Sequence, residues 1–407
     1  LGLASVSAAS AAAQDFGRMF ERMARDTIQK QLDPSRIGQA IGPGGEQAQR
    51  SREPESFAFK TADNWTLVIR RYRADPAQAQ SQPARLPVVL CHGLTYSAAF
   101  WDLEPPVSFA RWLSARGWDV WAVDLRGCGS SQKWVFRLDD APGAMVGSAI
   151  RHATGGRVGG TANTSIDPRF ASWTLDDHVN QDLPAVIRVV TRATGSPQVL
   201  WVGHSMGGIV PLCHMARYPN PGIARLATVG SQLTMRDGQL VMPFLQRTLL
   251  ARQQQLAGQF GPQQVAAMAG QGVQDLFFNV QNVSRTVYDA LAAELMDVPA
   301  IGLMKQYSVM TSEGELWDAT RRFNYAQAAG NIQVPILITC GATDAFAPPV
   351  VQKDLFDRVG STDKTAVIFG RARGLSADSG HNDALVGLNS MREVYPTIER
   401  WLQGGKV

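Results

Sequence analysis

The residues of this chain best placed to do chemistry surround one serine. Across residues 199–212, "VLWVGHSMGGIVPL", an apolar run leads into Gly203-His204-Ser205-Met206-Gly207, and then an apolar, helix-like run resumes. A serine hydroxyl is a weak nucleophile unless it is held exposed and beside a base. A sharp turn from a buried strand into a helix exposes it, and aims the following backbone N–H groups at the same spot. Side chains at 203 and 207 would collide across such a turn, which accounts for the two glycines. The helix N-terminus adds partial positive charge where an oxyanion would develop. Gly-x-Ser-x-Gly alone recurs by chance. With a strand before it and a helix after it, this stretch reads as a nucleophile elbow supported by Gly203, His204 and Gly207.

The chemistry that follows is acyl transfer, which needs a base, an acid to orient it and donors for the oxyanion. The elbow geometry expects the order serine, acid, histidine, each on a loop after a successive strand. Of the six histidines only His214 and His381 follow Ser205. His214 falls on the helix leaving the elbow, where packing is the simpler role. His381, in "GLSADSGHNDALVG", follows the last apolar strand and is the expected base. The strand "VPILITCG" ends in Gly341, and Asp344 three residues on is the expected acid. Asp378 and Asp383 are rivals, but they lie too near His381 in sequence to orient it from a separate strand end. The oxyanion donors are expected at Met206 and at Leu94, with Thr95 the second choice. In that second loop Gly93 lets the chain turn, and His92 braces it by hydrogen bonding.

The elements that must position these residues can be read from hydrophobic patterning. Short, continuously apolar runs at 86–93, 118–127, 199–205, 224–231, 334–341 and 365–370 lead into Gly-containing loops. Continuous rather than alternating hydrophobicity means that both faces are covered, as in a parallel sheet. Amphipathic stretches such as "PVSFARWLSARG" and "DHVNQDLPAVIRVVTRATG" lie between several of them. The alternation predicts a doubly wound, mostly parallel α/β sheet. A hairpin is expected before it, with Phe57 and Phe59 on one arm and Trp65, Leu67, Ile69 and Arg71 alternating on the other. Two tracts break the rhythm. Residues 133–168 are loop-like and rich in Gly, Ala and Thr. Residues 232–330 hold helical runs only, such as Val241, Phe244, Leu245 and Leu249, then Val287, Tyr288, Leu291 and Leu295. This second tract is too long for one crossover and reads as an inserted helical cap. The expected organisation is an N-terminal helical extension and linker (1–50), a core (51–231 and 331–407) and a cap (232–330). Phe16, Met19, Phe20 and Met23 mark an amphipathic helix in the extension.

Composition narrows the alternatives. The 407 residues are 45% hydrophobic and 18% charged with a net charge of +4, and no Lys/Arg cluster suggests nucleic acid. No apolar run reaches the ~18 residues of a membrane span. Cys91, Cys128, Cys213 and Cys340 lack metal-ligand spacing and read as reduced, packed thiols. No metal and no cofactor is expected, and no Gly-rich nucleotide fingerprint follows the first strand. The N-terminal "LGLASVSAASAAAQ" fits equally the tail of a secretory signal and an Ala-rich lead-in, so export and a cytoplasmic location stay open. The N-terminal helix and the cap are the surfaces through which a homo-oligomer could form.

With these residues in hand the chain resembles the α/β-hydrolase superfamily, and within it the acid lipase group of gastric and lysosomal lipases. The resemblance rests on "CHGLTYSAAFW", "FASWTLDDHVNQDLPAVIRVV", "VGHSMGG", "LWDATRRFNYAQAAGNIQVPILITCGATD" and "GHNDALVG", in that order, over roughly residues 56–403. It implies carboxylic ester hydrolysis with Ser205, Asp344 and His381 as triad and Leu94 and Met206 as oxyanion donors. The departures are Met206, where the group usually carries Gln, and the lack of an obvious counterpart to its disulfide. The expected activity is hydrolysis of a hydrophobic ester, a lipid or a polyester through an acyl-enzyme. Two alternatives remain. One is acyl transfer of the polyester-synthase type, which usually uses cysteine as nucleophile. The other is a non-catalytic scaffold kept for binding, for which an intact triad would be unneeded.

Overall fold

The computed structural model describes residues 53–80, 85–103, 107–133, 172–219, 222–236, 277–293, 297 and 299–407. The N-terminal extension with its helix, most of the tract 133–168, and Val241, Phe244, Leu245, Leu249 and Leu295 lie outside the described residues.

Eight strands form one sheet: β1 (Glu55–Lys60), β2 (Thr66–Tyr72), β3 (Val88–Cys91), β4 (Val120–Asp124), β5 (Val199–His204), β6 (Ile223–Val229), β7 (Ile336–Gly341) and β8 (Lys364–Phe369). Their spatial order is β1-β2-β4-β3-β5-β6-β7-β8. β1 and β2 are the expected hairpin; β2 meets β4 antiparallel, and from β4 through β8 all pairing is parallel. The sheet is therefore mostly parallel, as the continuous apolar runs require. Every residue of β3, β4, β5 and β7 is buried. The two-residue alternation of β2 survives too: Leu67 and Ile69 are buried while Thr66, Val68 and Arg70 are only partly so.

Helices cover the sheet. α1 (Phe109–Ser114) and α7 (Tyr395–Leu402) meet through Phe109, Trp112 and Tyr395, with the Phe109 and Tyr395 rings 4.6 Å apart. α2 (Leu183–Thr194), α3 (Met206–Arg217) and α6 (Pro349–Arg358) follow β4, β5 and β7 in sequence. A π-turn at His178–Asp182 precedes α2. It delivers Asp182 to Arg126, in the loop after β4. Both are buried, and Asp182 Oδ1 accepts from Arg126 Nη2 at 2.7 Å and Nε at 2.9 Å. The tract 232–330 contributes α4 (Arg285–Ala293) and α5 (Ile301–Glu313), with only isolated β-bridges among its described residues. Val287 and Leu291 are buried, on the face that their spacing suggested. All four cysteines are buried and free.

Strand order decides where a site can form. It reverses at β3, with β4 on one side and β5 on the other, and such a reversal opens a crevice at the carboxyl ends of the strands. The loops after β3, β5, β7 and β8 all leave that edge.

Candidate active site

Ser205 is the hinge of the site. It has φ 53° and ψ −121°, one of three non-glycine residues with positive φ among the described residues. Such backbone costs about 1–3 kcal/mol and persists only where the surroundings impose it. Here they do. Ser205 N–H donates to the Val229 carbonyl at 2.8 Å, and its own carbonyl accepts from Ser231 Oγ at 2.8 Å and Gly208 N–H at 3.0 Å. The strand and helix approach so closely that a Cβ at Gly203 would lie 2.2 Å from the Gly207 carbonyl oxygen. One at Gly207 would lie 2.1 Å from that of Cys91. α3 begins at Met206, so its positive N-terminal end, with the Met206 N–H first, stands at the carboxyl end of β5.

β7 and β8 deliver an acid and an imidazole. His381 Nδ1 lies 2.9 Å from Asp344 Oδ2 and 3.0 Å from Oδ1. Asp344 Oδ1 also accepts the N–H groups of Phe346 (2.9 Å) and Ala347 (2.8 Å), so the carboxylate is locked by its own loop. The two rivals are engaged elsewhere. Asp378 caps Arg371 N–H at 2.8 Å. Asp383 accepts from the N–H groups of Gly380 and Asn279 and from Asn282 Nδ2 at 2.8–3.0 Å. Burial holds the Asp383 carboxyl above its ordinary pKa despite those donors. The ring of His381 is buried among the rings of His204 (4.8 Å), Phe346 (5.2 Å) and Phe277 (6.1 Å).

The loop after β3 runs against the serine. A Cβ on Gly93 would lie 3.2 Å from Ser205 Cβ. His92 braces this loop: Nδ1 is 2.8 Å from the Gly93 carbonyl oxygen, and Nε2 is 3.2 Å from Leu125 N. A carbonyl only accepts and an amide N–H only donates, so His92 is the neutral tautomer with its proton on Nδ1. Burial, the leading cause, lowers its pKa and keeps it neutral. Its two hydrogen bonds tie the loop after β3 to the loop after β4.

One cleft among the described residues is lined by Gly93, Leu94, Thr95, His204, Ser205 and His381. Asp344 stands behind His381, and Met206 is joined to Ser205 by the peptide bond. His214 is not part of it; it is buried on α3 with Nδ1 3.0 Å from the Val179 carbonyl oxygen. The rest of the lining was missed in the sequence: Tyr96, Ile209, Gly230, Gln232, Met235, Phe277, Tyr307, Phe346 and Ala347. Phe346 and Ala347 carried a usable signal, their place two and three residues after the acid; Phe277 and Tyr307 carried none. Among the described residues no group of three His, Cys, Asp or Glu is arranged to hold a metal ion. No helix among them is long and apolar enough to cross a membrane.

Comparison with known proteins agrees with this architecture. The chain is 25% identical over 162 residues to the tear acid lipase-like protein of Mesocricetus auratus, covering 39% of this chain and 33% of that one. It is 23% identical over 387 residues to human lipase member M, covering 86% and 82%. The chain thus spans about a third of the length of the first curated relatives that it matches. Among solved structures, a bacterial membrane phospholipase A superposes with a TM-score of 0.54 at 17% identity, covering 96% of this chain and 98% of that one. An esterase from Thermogutta terrifontis gives 0.55 at 16%, covering 86% and 98%. At such identities these structures speak for the fold alone. The model of the alpha/beta hydrolase fold family matches residues 87–387, most of the chain, and the relatives carry lipase names, among them gastric triacylglycerol lipase. The chain belongs to the α/β-hydrolase fold family and resembles its acid lipases.

Proposed function

We propose that this chain is a serine-dependent carboxylic ester hydrolase acting through an acyl-enzyme on a hydrophobic ester. The observation that carries the reading is the pairing of His381 Nδ1 with Asp344 at 2.9 Å, in the cleft that also holds the strained Ser205. With Nδ1–H given to the carboxylate, Nε2 is the basic nitrogen. It accepts the Ser205 proton as Oγ attacks the ester carbon. The tetrahedral oxyanion is held by the N–H groups of Met206 and Leu94, the first strengthened by the helix N-terminus. His381 then protonates the leaving alcohol. Water, deprotonated by His381, hydrolyses the acyl-serine, and the carboxylic acid leaves.

The lining supports an apolar acyl or alkyl group. Leu94, Ile209, Met235, Phe277 and Phe346 dominate the cleft around the reacting carbon. Met235, Phe277 and Tyr307 come from the tract 232–330, which we assign as a cap over the site. The lipase names of the relatives point the same way.

The test is labelling with an alkyl fluorophosphonate followed by peptide mapping, alongside hydrolysis of p-nitrophenyl esters from acetate to palmitate. The expected result is one modified peptide, carrying Ser205, and no turnover by Ser205→Ala with melting unchanged. A modified residue elsewhere, or turnover by Ser205→Ala, defeats the assignment.

A further inference from the structure

We propose that His204 is a positioning residue for His381. It would be held as a neutral imidazole that pins the base loop to the elbow through the His381 backbone. The inference rests on the function proposed above. His204 closes β5 and is wholly buried, and its Nε2 lies 3.1 Å from the carbonyl oxygen of His381, 177 residues away. A carbonyl cannot donate, so the proton is on Nε2. Nδ1 is buried with no hydrogen-bond partner, and a Cβ at Gly93 would stand 3.0 Å from it. Protonating Nδ1 would bury a charge and an unpaired donor together. Burial first, and then the nearby His381, push the pKa of His204 well below the ordinary histidine value.

The ring is fixed on its faces as well. It stacks on Phe100 at 4.7 Å with 17° between the planes, and its centroid is 4.8 Å from that of His381. His381 itself is therefore held from two elements. Asp344 holds the imidazole at Nδ1, and His204 holds the peptide that carries it. The rest of the loop is tied as well: Asn382 Nδ2 donates to Tyr96 Oη at 2.7 Å, Asn382 N–H to the Phe277 carbonyl at 2.8 Å, and Thr343 N–H to the Ser379 carbonyl at 2.9 Å. The choice of residue follows from the chemistry next door. His381 becomes a cation in each half-reaction, so a lysine or arginine at 204 would oppose it, whereas a neutral ring donates one proton and adds no charge.

The experiment compares His204→Phe, which keeps the stack and loses the donor, with His204→Gln, which restores an N–H of similar reach. With p-nitrophenyl butyrate, His204→Phe is expected to lower kcat about 10- to 100-fold with KM within about twofold, the scale expected for misplacing a catalytic group by about 1 Å. Labelling of Ser205 by the fluorophosphonate should slow in proportion. His204→Gln should recover at least about fivefold over His204→Phe. Full activity in His204→Phe, equal losses in both variants, or a loss confined to KM overturns the positioning role. If His204→Phe does not fold, His204→Met fills the volume without a donor and takes its place in the same comparison. His381→Ala separates the two readings. If it still turns over, the base assignment has failed and His204 falls with it. If it is inactive while His204→Phe is unimpaired, only the positioning role has failed.

Discussion

Replacing Asp344 with Asn tests the centre of the proposed mechanism with a nearly isosteric change, and its size can be worked from the hydrogen bonds. Asp344 Oδ1 accepts two backbone N–H groups, from Phe346 and Ala347, at 2.9 and 2.8 Å. An amide in its place must keep its oxygen there, because the opposite orientation would set an NH₂ against two donors. Losing those two bonds costs at least about 2 kcal/mol, so the amide nitrogen occupies the position of Oδ2 in more than about 95% of molecules. That nitrogen then faces His381 Nδ1, which lies 2.9 Å from Oδ2 and 3.0 Å from Oδ1 in the parent. Nδ1–H would meet the NH₂ on one side and an oxygen already taken by two backbone donors on the other, so the tautomer with Nδ1 accepting and the proton on Nε2 is favoured, and the nitrogen meant to take the serine proton then already carries one. A wrong-tautomer base of this kind costs about 10⁴ in kcat, or about 5.4 kcal/mol at ~1.36 kcal/mol per tenfold. The assay is steady-state hydrolysis of p-nitrophenyl butyrate, with circular dichroism to establish that the variant folds. A fall of less than about tenfold would refute the reasoning. So would a larger loss in Asp383→Asn, since Asp383 is tied to Gly380, Asn279 and Asn282 rather than to an imidazole.

Two further predictions concern stability. Gly207→Ala sets a methyl 2.1 Å from the Cys91 carbonyl oxygen and 2.7 Å from that of His92, both backbone atoms that cannot step aside. It should destabilise the fold by more than about 3 kcal/mol, read as a clear drop in melting temperature or as insoluble protein; unaltered melting with full activity would contradict the elbow geometry. Asp182 is buried; burial raises its pKa, but Arg126 and the His178 N–H more than compensate, and the net shift is downward. A carboxyl with a lowered folded-state pKa adds stability that is fully present above its unfolded pKa of about 3.9, and loses it as pH falls through the folded value. Asp182→Asn should therefore cost about 3–5 kcal/mol at pH 7, less whatever Asp63 still gives Arg126, and the gap should narrow towards pH 3. Urea midpoints at pH 7, 5 and 3 measure it; a gap independent of pH would mean that the pair is not what Asp182 contributes.

Much of this architecture is written locally. The strands could be read because their runs are apolar on both faces, and the hairpin because β2 alternates. The elbow could be read in part because a side chain at 203 would collide with the backbone at 207, a few residues on; the collision that Gly207 avoids, with the Cys91 carbonyl, comes from a distant strand. Local encoding also set Asp344 and His381 after the last two strands, in the expected order. Among neighbours of equal chemistry the sequence favoured Asp344 over Asp378 and Asp383 only by its place at a separate strand end; the packing of the β7 and β8 loops is what brings that carboxylate to the imidazole.

The sequence by itself determined the parallel sheet, the turn that strains Ser205, and the order of the residues proposed as catalytic. Each leaves its mark in neighbouring residues, as apolar runs, glycine spacing and residue order, even where the contacts that hold it, such as Val229 and Ser231 against Ser205, come from further along the chain. Tertiary structure alone decided which tautomers His92 and His204 adopt, and that Phe277 and Tyr307 wall the cleft. Those outcomes depend on atoms brought together from distant parts of the chain. Their closeness follows from strand order and helix packing, which no window of neighbouring residues contains.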